Sequence, residues 1–141
     1  MSVSFHTEEI PFNLKQKLRH KQWIREWILL HKKIPGDLSF VFTSNERIRH
    51  INRDYLNHNY FTDVISFDYS VDRIVSGDIF IGLEEVKRNA EFYGQELEDE
   101  LRRVMIHGVI HLLGFADDSQ EEKEIMREKE NEALHLWKKL V

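Results

Sequence analysis

The sequence predicts a layered α/β or α+β domain built on a four-stranded sheet. Three observations lead there. Short alternating segments recur between amphipathic ones, in the order β-α-β-α-β-β-α-α-α. The 141 residues suit one compact domain, 1–141, long enough to bury a core without staples. Cysteine is absent, so disulfides and thiolate metal sites are excluded and a reducing, cytoplasmic setting is expected.

The elements follow in chain order. SVSFHT at the start alternates, with Val3 and Phe5 on one face. Residues 12–33 read as a helix, in which Trp23, Trp27 and Leu30 recur at spacings of four and three beside Ile24 and Ile28. That aromatic stripe reads as core rather than as a base-stacking platform, and Pro35-Gly36 is expected to end the helix. Residues 37–43 form a second strand through Leu38, Phe40 and Phe42. Ser44 can cap the next helix, which carries Ile48, Ile51 and Tyr55. Residues 63–69 and 77–83 supply strands three and four. A helix from Glu84 to about Tyr93 stops at Gly94. The next, from about Leu97 to Leu113, begins acidic, as suits the positive end of its dipole. It then becomes apolar almost all round, so it is expected in the protein's centre. Ser119 with Glu122 resembles a capping box for a last helix reaching about Leu140.

Charge is unevenly spread. Residues 1–60 hold ten Lys/Arg against six Asp/Glu, and residues 61–141 hold ten against nineteen. The overall charge of −5 argues weakly against a nucleic-acid binder, yet a basic face from the first half can still meet phosphate. No signal peptide is visible between Met1 and Ile10. No stretch approaches the roughly 18 apolar residues of a membrane span, so no membrane partner is expected.

The chemistry concentrates in IHGVIHLLGFADD, residues 106–118. His107 and His111 lie four apart, which on a helix places both imidazoles on one face. That spacing suits two ligands of a tetrahedral metal. A buried histidine pair needs partners for its nitrogens, and a metal supplies one. Gly108 costs about 1 kcal/mol relative to Ala in mid-helix, so something is expected to pack close there. Gly114 can reverse the chain and return residues 116–118 toward the histidines. Asp117 is then the natural third ligand, with Asp118 its nearest competitor. Zinc is the expected metal.

This run resembles the YbeY family of bacterial metal-dependent endoribonucleases, whose pattern is H-G-x-L-H-L-x-G-Y-D-H with three histidine zinc ligands. Three further stretches agree: Thr62 to Phe67 with T-[DN]-V-L-S-F, Gly77 to Ile81 with G-D-I, and Met126 to Glu130 with the final helix. The resemblance covers nearly the whole chain. It implies a zincin-like α+β fold with a mostly parallel four-stranded sheet and about five helices. It also implies cleavage of single-stranded RNA in ribosomal RNA processing, at the 3′ end of 16S RNA, and in ribosome quality control. The partners it implies are ribosomal RNA and the ribosome or its small subunit, in the cytoplasm, with no DNA.

Two departures from the pattern bear on chemistry. Asp117 stands where the family has its third histidine. A carboxylate can ligate zinc, but two histidines and one carboxylate also suit other divalent metals. Leu56 stands where the family has an arginine that contacts phosphate. Arg53 and His58 are the candidate replacements, and Asp63 and Ser66 are expected to line the cleft, with Arg53 and Ser66 the substrate-binding candidates. Two rivals are weighed. A peptidase of the H-E-x-x-H kind is disfavoured because Gly108 occupies the glutamate position. A non-catalytic ribosome-assembly factor with a structural metal predicts a closed, four-ligand site.

Overall fold

The computed structural model describes residues 2–56 and 62–140. Nine elements follow in order: β1 (Ser2–Thr7), α1 (Lys17–Leu30), β2 (Ile34–Thr43), α2 (Asn45–Leu56), β3 (Val64–Asp68), β4 (Ile74–Gly82), α3 (Leu83–Phe92), α4 (Leu97–Leu112) and α5 (Gln120–Lys139). The sheet order is β1-β2-β4-β3. β1 pairs with β2 and β2 with β4 in parallel, whereas β3 runs antiparallel to β4. The expected mostly parallel sheet with five helices is present.

Strand alternation divides the apolar residues between the two faces of the sheet. Ile79 and Ile81 join the larger core, with Trp23, Trp27, Met105 and Ile106 from the helices. The intervening Phe80 packs with Ile48, Ile51 and Ile65 in a smaller one. Helix α4 lies against β3 and β4, where Val104, Met105, Ile106, Val109 and Ile110 are all buried. The tryptophan stripe is core, with Trp23 fully buried and its indole Nε1 donating to the Ala133 carbonyl at 2.7 Å.

Two boundaries of α1 differ from expectation. The helix starts at Lys17 rather than residue 12, after Gln16 at φ 56°. Extended chain there lets Phe12 meet Phe42 at 5.1 Å between ring centres and buries Leu14. The helix also ends before Pro35-Gly36: Lys32 takes φ 59°, and both residues fall inside β2. Pro35 is tolerated because, among the described residues, β1 pairs with β2 from Asp37 onward, so the proline lies opposite β4, beside a bulge.

Candidate metal centre

Three local devices assemble the site. The first is the end of α4. Gly114 adopts φ 104°, its N–H donates to the His111 carbonyl at 3.0 Å, and the Phe115 N–H donates to the Ile110 carbonyl at 3.3 Å. This paired arrangement is a Schellman cap, which turns the chain back on the helix. The Phe115 carbonyl thereby accepts from His111 Nδ1 at 2.9 Å. Asp117 Oδ2 arrives 3.4 Å from His107 Nε2 and 3.5 Å from His111 Nε2.

The second device is the start of α5. Ser119 and Glu122 form the expected capping box, the Glu122 N–H donating to Ser119 Oγ at 3.1 Å and the Ser119 N–H to Glu122 Oε1 at 2.9 Å. The helix it launches carries Glu130 to His107, whose Nδ1 donates to Glu130 Oε2 at 2.7 Å. The third device is Gly108. A Cβ there would sit 2.8 Å from Ile79 Cγ2 and 3.1 Å from Ser66 Oγ. Only glycine lets α4 lie this close to β3 and β4, which brings the histidines to the mouth of the cleft.

The electrostatics of the trio follow from these partners. A carboxylate and a backbone carbonyl only accept, so both Nδ1 atoms carry protons. With both rings neutral, as metal ligation requires, both Nε2 atoms present lone pairs, 3.0 Å apart and facing the Asp117 carboxylate. Three acceptors converge with no donor between them, an arrangement that calls for a cation. Their ligand atoms all lie within 4.8 Å of one another. Donors about 2.0–2.1 Å from a tetrahedral ion stand about 3.3 Å apart, and the observed 3.0, 3.4 and 3.5 Å bracket that value. The residues fit a divalent metal with three protein ligands and do not by themselves select zinc.

Without a metal, a proton can take that place. Burial works to lower the His107 pKa, but the hydrogen bond and charge of Glu130, with Asp117 and Asp63, outweigh it and hold it raised. Burial likewise pushes Glu130 up, but its bonds to His107 and Arg103 win and hold it below the usual carboxylate range.

The trio opens on a cleft of about 670 Å³. Asn52 and Leu56 from α2 and Thr62 to Ser66 from the β3 region form its other wall. Ser66 lies in this wall, with its hydroxyl donating to the Gly108 carbonyl at 3.4 Å. Asp63 lines it too, and Asn89 Nδ2 donates to its Oδ2 at 3.5 Å. Burial raises the Asp63 pKa against the opposing charge of His107. Arg53 is not brought to the cleft; its guanidinium turns to His50 Nδ1 at 2.7 Å and Asp54 at 3.2 Å. His58 lies outside the described residues. Among the described residues, no Lys or Arg lines the cleft.

Sequence reasoning missed Glu130 as a partner of His107. A signal was present. Met126, Glu130, Ala133 and Trp137 form the buried stripe of α5 at spacings of four, three and four, so an acid occupies a core position. The Phe115 carbonyl left no trace, because a backbone acceptor has no residue type.

Comparison with known proteins identifies the family. Endoribonuclease YbeY of Bacteroides thetaiotaomicron is 42% identical over 136 residues, covering 96% of this chain and 99% of that protein. The protein of the same name in Flavobacterium psychrophilum is 41% identical over 135 residues, covering 96% of each. The solution structure of TM1509 from Thermotoga maritima superimposes with a TM-score of 0.67 at 21% identity, covering 96% of this chain and 89% of that one, a likeness of fold alone. Residues 3–138 match the family described as Endoribonuclease YbeY, and the chain belongs to that family.

Proposed function

We propose that this protein is a metal-dependent endoribonuclease that cuts single-stranded RNA in ribosomal RNA processing, including the 3′ end of 16S RNA, and in ribosome quality control. Its setting is the cytoplasm, with ribosomal RNA and the small ribosomal subunit as partners. No helix among the described residues is long and apolar enough to cross a membrane. The observation that carries the reading is the convergence of His107 Nε2, His111 Nε2 and Asp117 Oδ2, three acceptors without a donor, at the wall of an open cleft.

In this reading His107, His111 and Asp117 hold the metal, zinc by preference, and no fourth protein ligand completes the set among the described residues. A divalent ion there supplies Lewis acidity toward a phosphoryl oxygen and acidifies water. The protein's own groups do the rest. Asp63 is the other carboxylate of the described cleft, and burial raises its pKa. We assign it the acid–base role. Asn52, Thr62 and Ser66 offer neutral polar contacts to the substrate, and Leu56 offers an apolar one. Arg53 stands apart from the cleft, so its part in substrate binding is confined to the surrounding surface.

The assembly-factor alternative requires a closed four-ligand site, and the three-ligand cluster beside a cleft disfavours it. The test is cleavage of a single-stranded ribosomal RNA fragment beside the same sequence held in a duplex. Chelation should abolish cleavage, added zinc should restore it, and the duplex should be spared. Chelator-resistant cleavage would overturn the mechanism.

A further inference from the structure

Glu130 is a charged side chain at a core position. It is 7% exposed and both of its oxygens are engaged. Oε2 accepts from His107 Nδ1 at 2.7 Å. Oε1 accepts from Arg103 Nη1 at 2.9 Å. Both terminal nitrogens of Arg103 also reach Asn131 Oδ1 at 3.3 Å, which fixes the guanidinium plane. The chain of contacts runs from α5 through α4 and ends on the ring of His107.

The two histidines are therefore held differently. His111 donates to a neutral backbone carbonyl, and His107 donates to an anion. An imidazole bonded to a carboxylate is more basic at its other nitrogen and a stronger ligand. The difference matters because Asp117 already brings one negative charge to the trio. Glu130 brings a second close behind it, and Arg103 offsets one of the two. Counted over Asp117, Glu130 and Arg103, a divalent cation at the site keeps one net positive charge.

We propose that Glu130, anchored by Arg103 and Asn131, is the positioning residue of the centre: it locks His107 with Nδ1 protonated and Nε2 aimed at the metal. The proposal rests on the reading of His107, His111 and Asp117 as the metal site. It adds a residue that makes no contact with metal or substrate.

The experiment uses the full chain, stripped of metal. Zinc affinity is measured by competition with a chromophoric chelator for wild type, Glu130→Gln and Glu130→Asp. Glu130→Gln removes the charge while keeping an acceptor, and its affinity should fall roughly 10- to 100-fold. Glu130→Asp keeps the charge beside Arg103 but shortens the reach to His107 by one methylene, so its loss should be smaller. It also serves if Glu130→Gln does not fold. In parallel, nitrogen-15 spectra of the histidine side chains read the tautomers directly. The His107 Nδ1–H signal should shift and lose definition in the variants, while that of His111 stays put as an internal control. Affinities within twofold of wild type, with unchanged His107 spectra, would overturn the proposal. If wild type binds neither zinc nor another divalent ion, the metal reading fails on its own. The spectra of the metal-free proteins then decide whether Glu130 positions His107.

Discussion

Gly108→Ala separates helix propensity from site geometry. In an exposed helix interior this substitution stabilises by about 1 kcal/mol, because alanine loses less backbone freedom on folding. Here the added Cβ would stand 2.8 Å from Ile79 Cγ2, about 0.6 Å short of the 3.4 Å at which ordinary contact begins. Ile79 is fully buried and branched at Cβ, so its methyl cannot swing aside. Ser66 Oγ, at 3.1 Å, closes the other side. Overpacking of this kind costs about 1–3 kcal/mol, which exceeds the propensity gain in most of its range. The expected net effect is a destabilisation of about 1 kcal/mol, measured by urea unfolding of the metal-free protein. Relief requires α4 to lift from β3 and β4 between the two histidines, so zinc affinity should fall as well. A variant that is 1 kcal/mol more stable than wild type, with unchanged affinity, would refute the reasoning.

Three further outcomes are expected. Asp63→Asn should raise stability at pH 7 while abolishing most cleavage, since it removes a partly buried charge whose folded pKa is raised. That gain should shrink as pH drops through the folded pKa and wild-type Asp63 becomes neutral; urea unfolding across pH, beside the RNA assay, checks both. In the metal-free protein, His107 has a raised folded pKa, so its contribution is complete below 6.5 and fades as pH rises through the folded value. Glu130 has a lowered one, so its contribution is complete above 4.5 and fades as pH falls. The pair therefore supports the metal-free fold most between 4.5 and 6.5, and a Glu130→Gln variant should show its largest stability loss there. His20 is 2% exposed, and burial, with the charges of Arg102 and Arg19, lowers its pKa to about 4. Unfolded chains bind the extra proton first, so stability should fall by on the order of 3 kcal/mol between pH 6.5 and about 4. His20→Gln should flatten that limb.

Local chemistry explains which features were legible in the sequence. Strand alternation and the tryptophan stripe report burial directly, and β1, β4 and α4 lie within a few residues of expectation. The His107–His111 pair and Gly114 are local in sequence, so chain reversal could bring residues 116–118 to the histidines, with Asp117 favoured and Asp118 its competitor. Pro35-Gly36 misled because a proline is a helix stop only where no strand can accept it, and the one-sided pairing at Pro35 depends on where β1 begins. Phe12 and Leu14 are compatible with a helix but gain more from the core, which is a tertiary choice. Glu130 was hidden by its setting. Its helix begins QEEKEIMREKE, and only the position of this one acid on the buried stripe distinguishes it from its neighbours. Leu56 was legible as a departure from the family's arginine, yet the sequence did not show that Arg53 turns away toward His50.

The central claim is that His107, His111 and Asp117 hold the metal that cleavage requires. The most direct measurement is the metal content of protein purified without added metal, taken together with cleavage of single-stranded ribosomal RNA, for wild type, His111→Ala and Asp117→Ala. The account predicts about one divalent ion per wild-type chain, cleavage that tracks occupancy, and loss of both in each variant. A wild-type protein that holds its metal yet leaves RNA uncut across several divalent ions would contradict it.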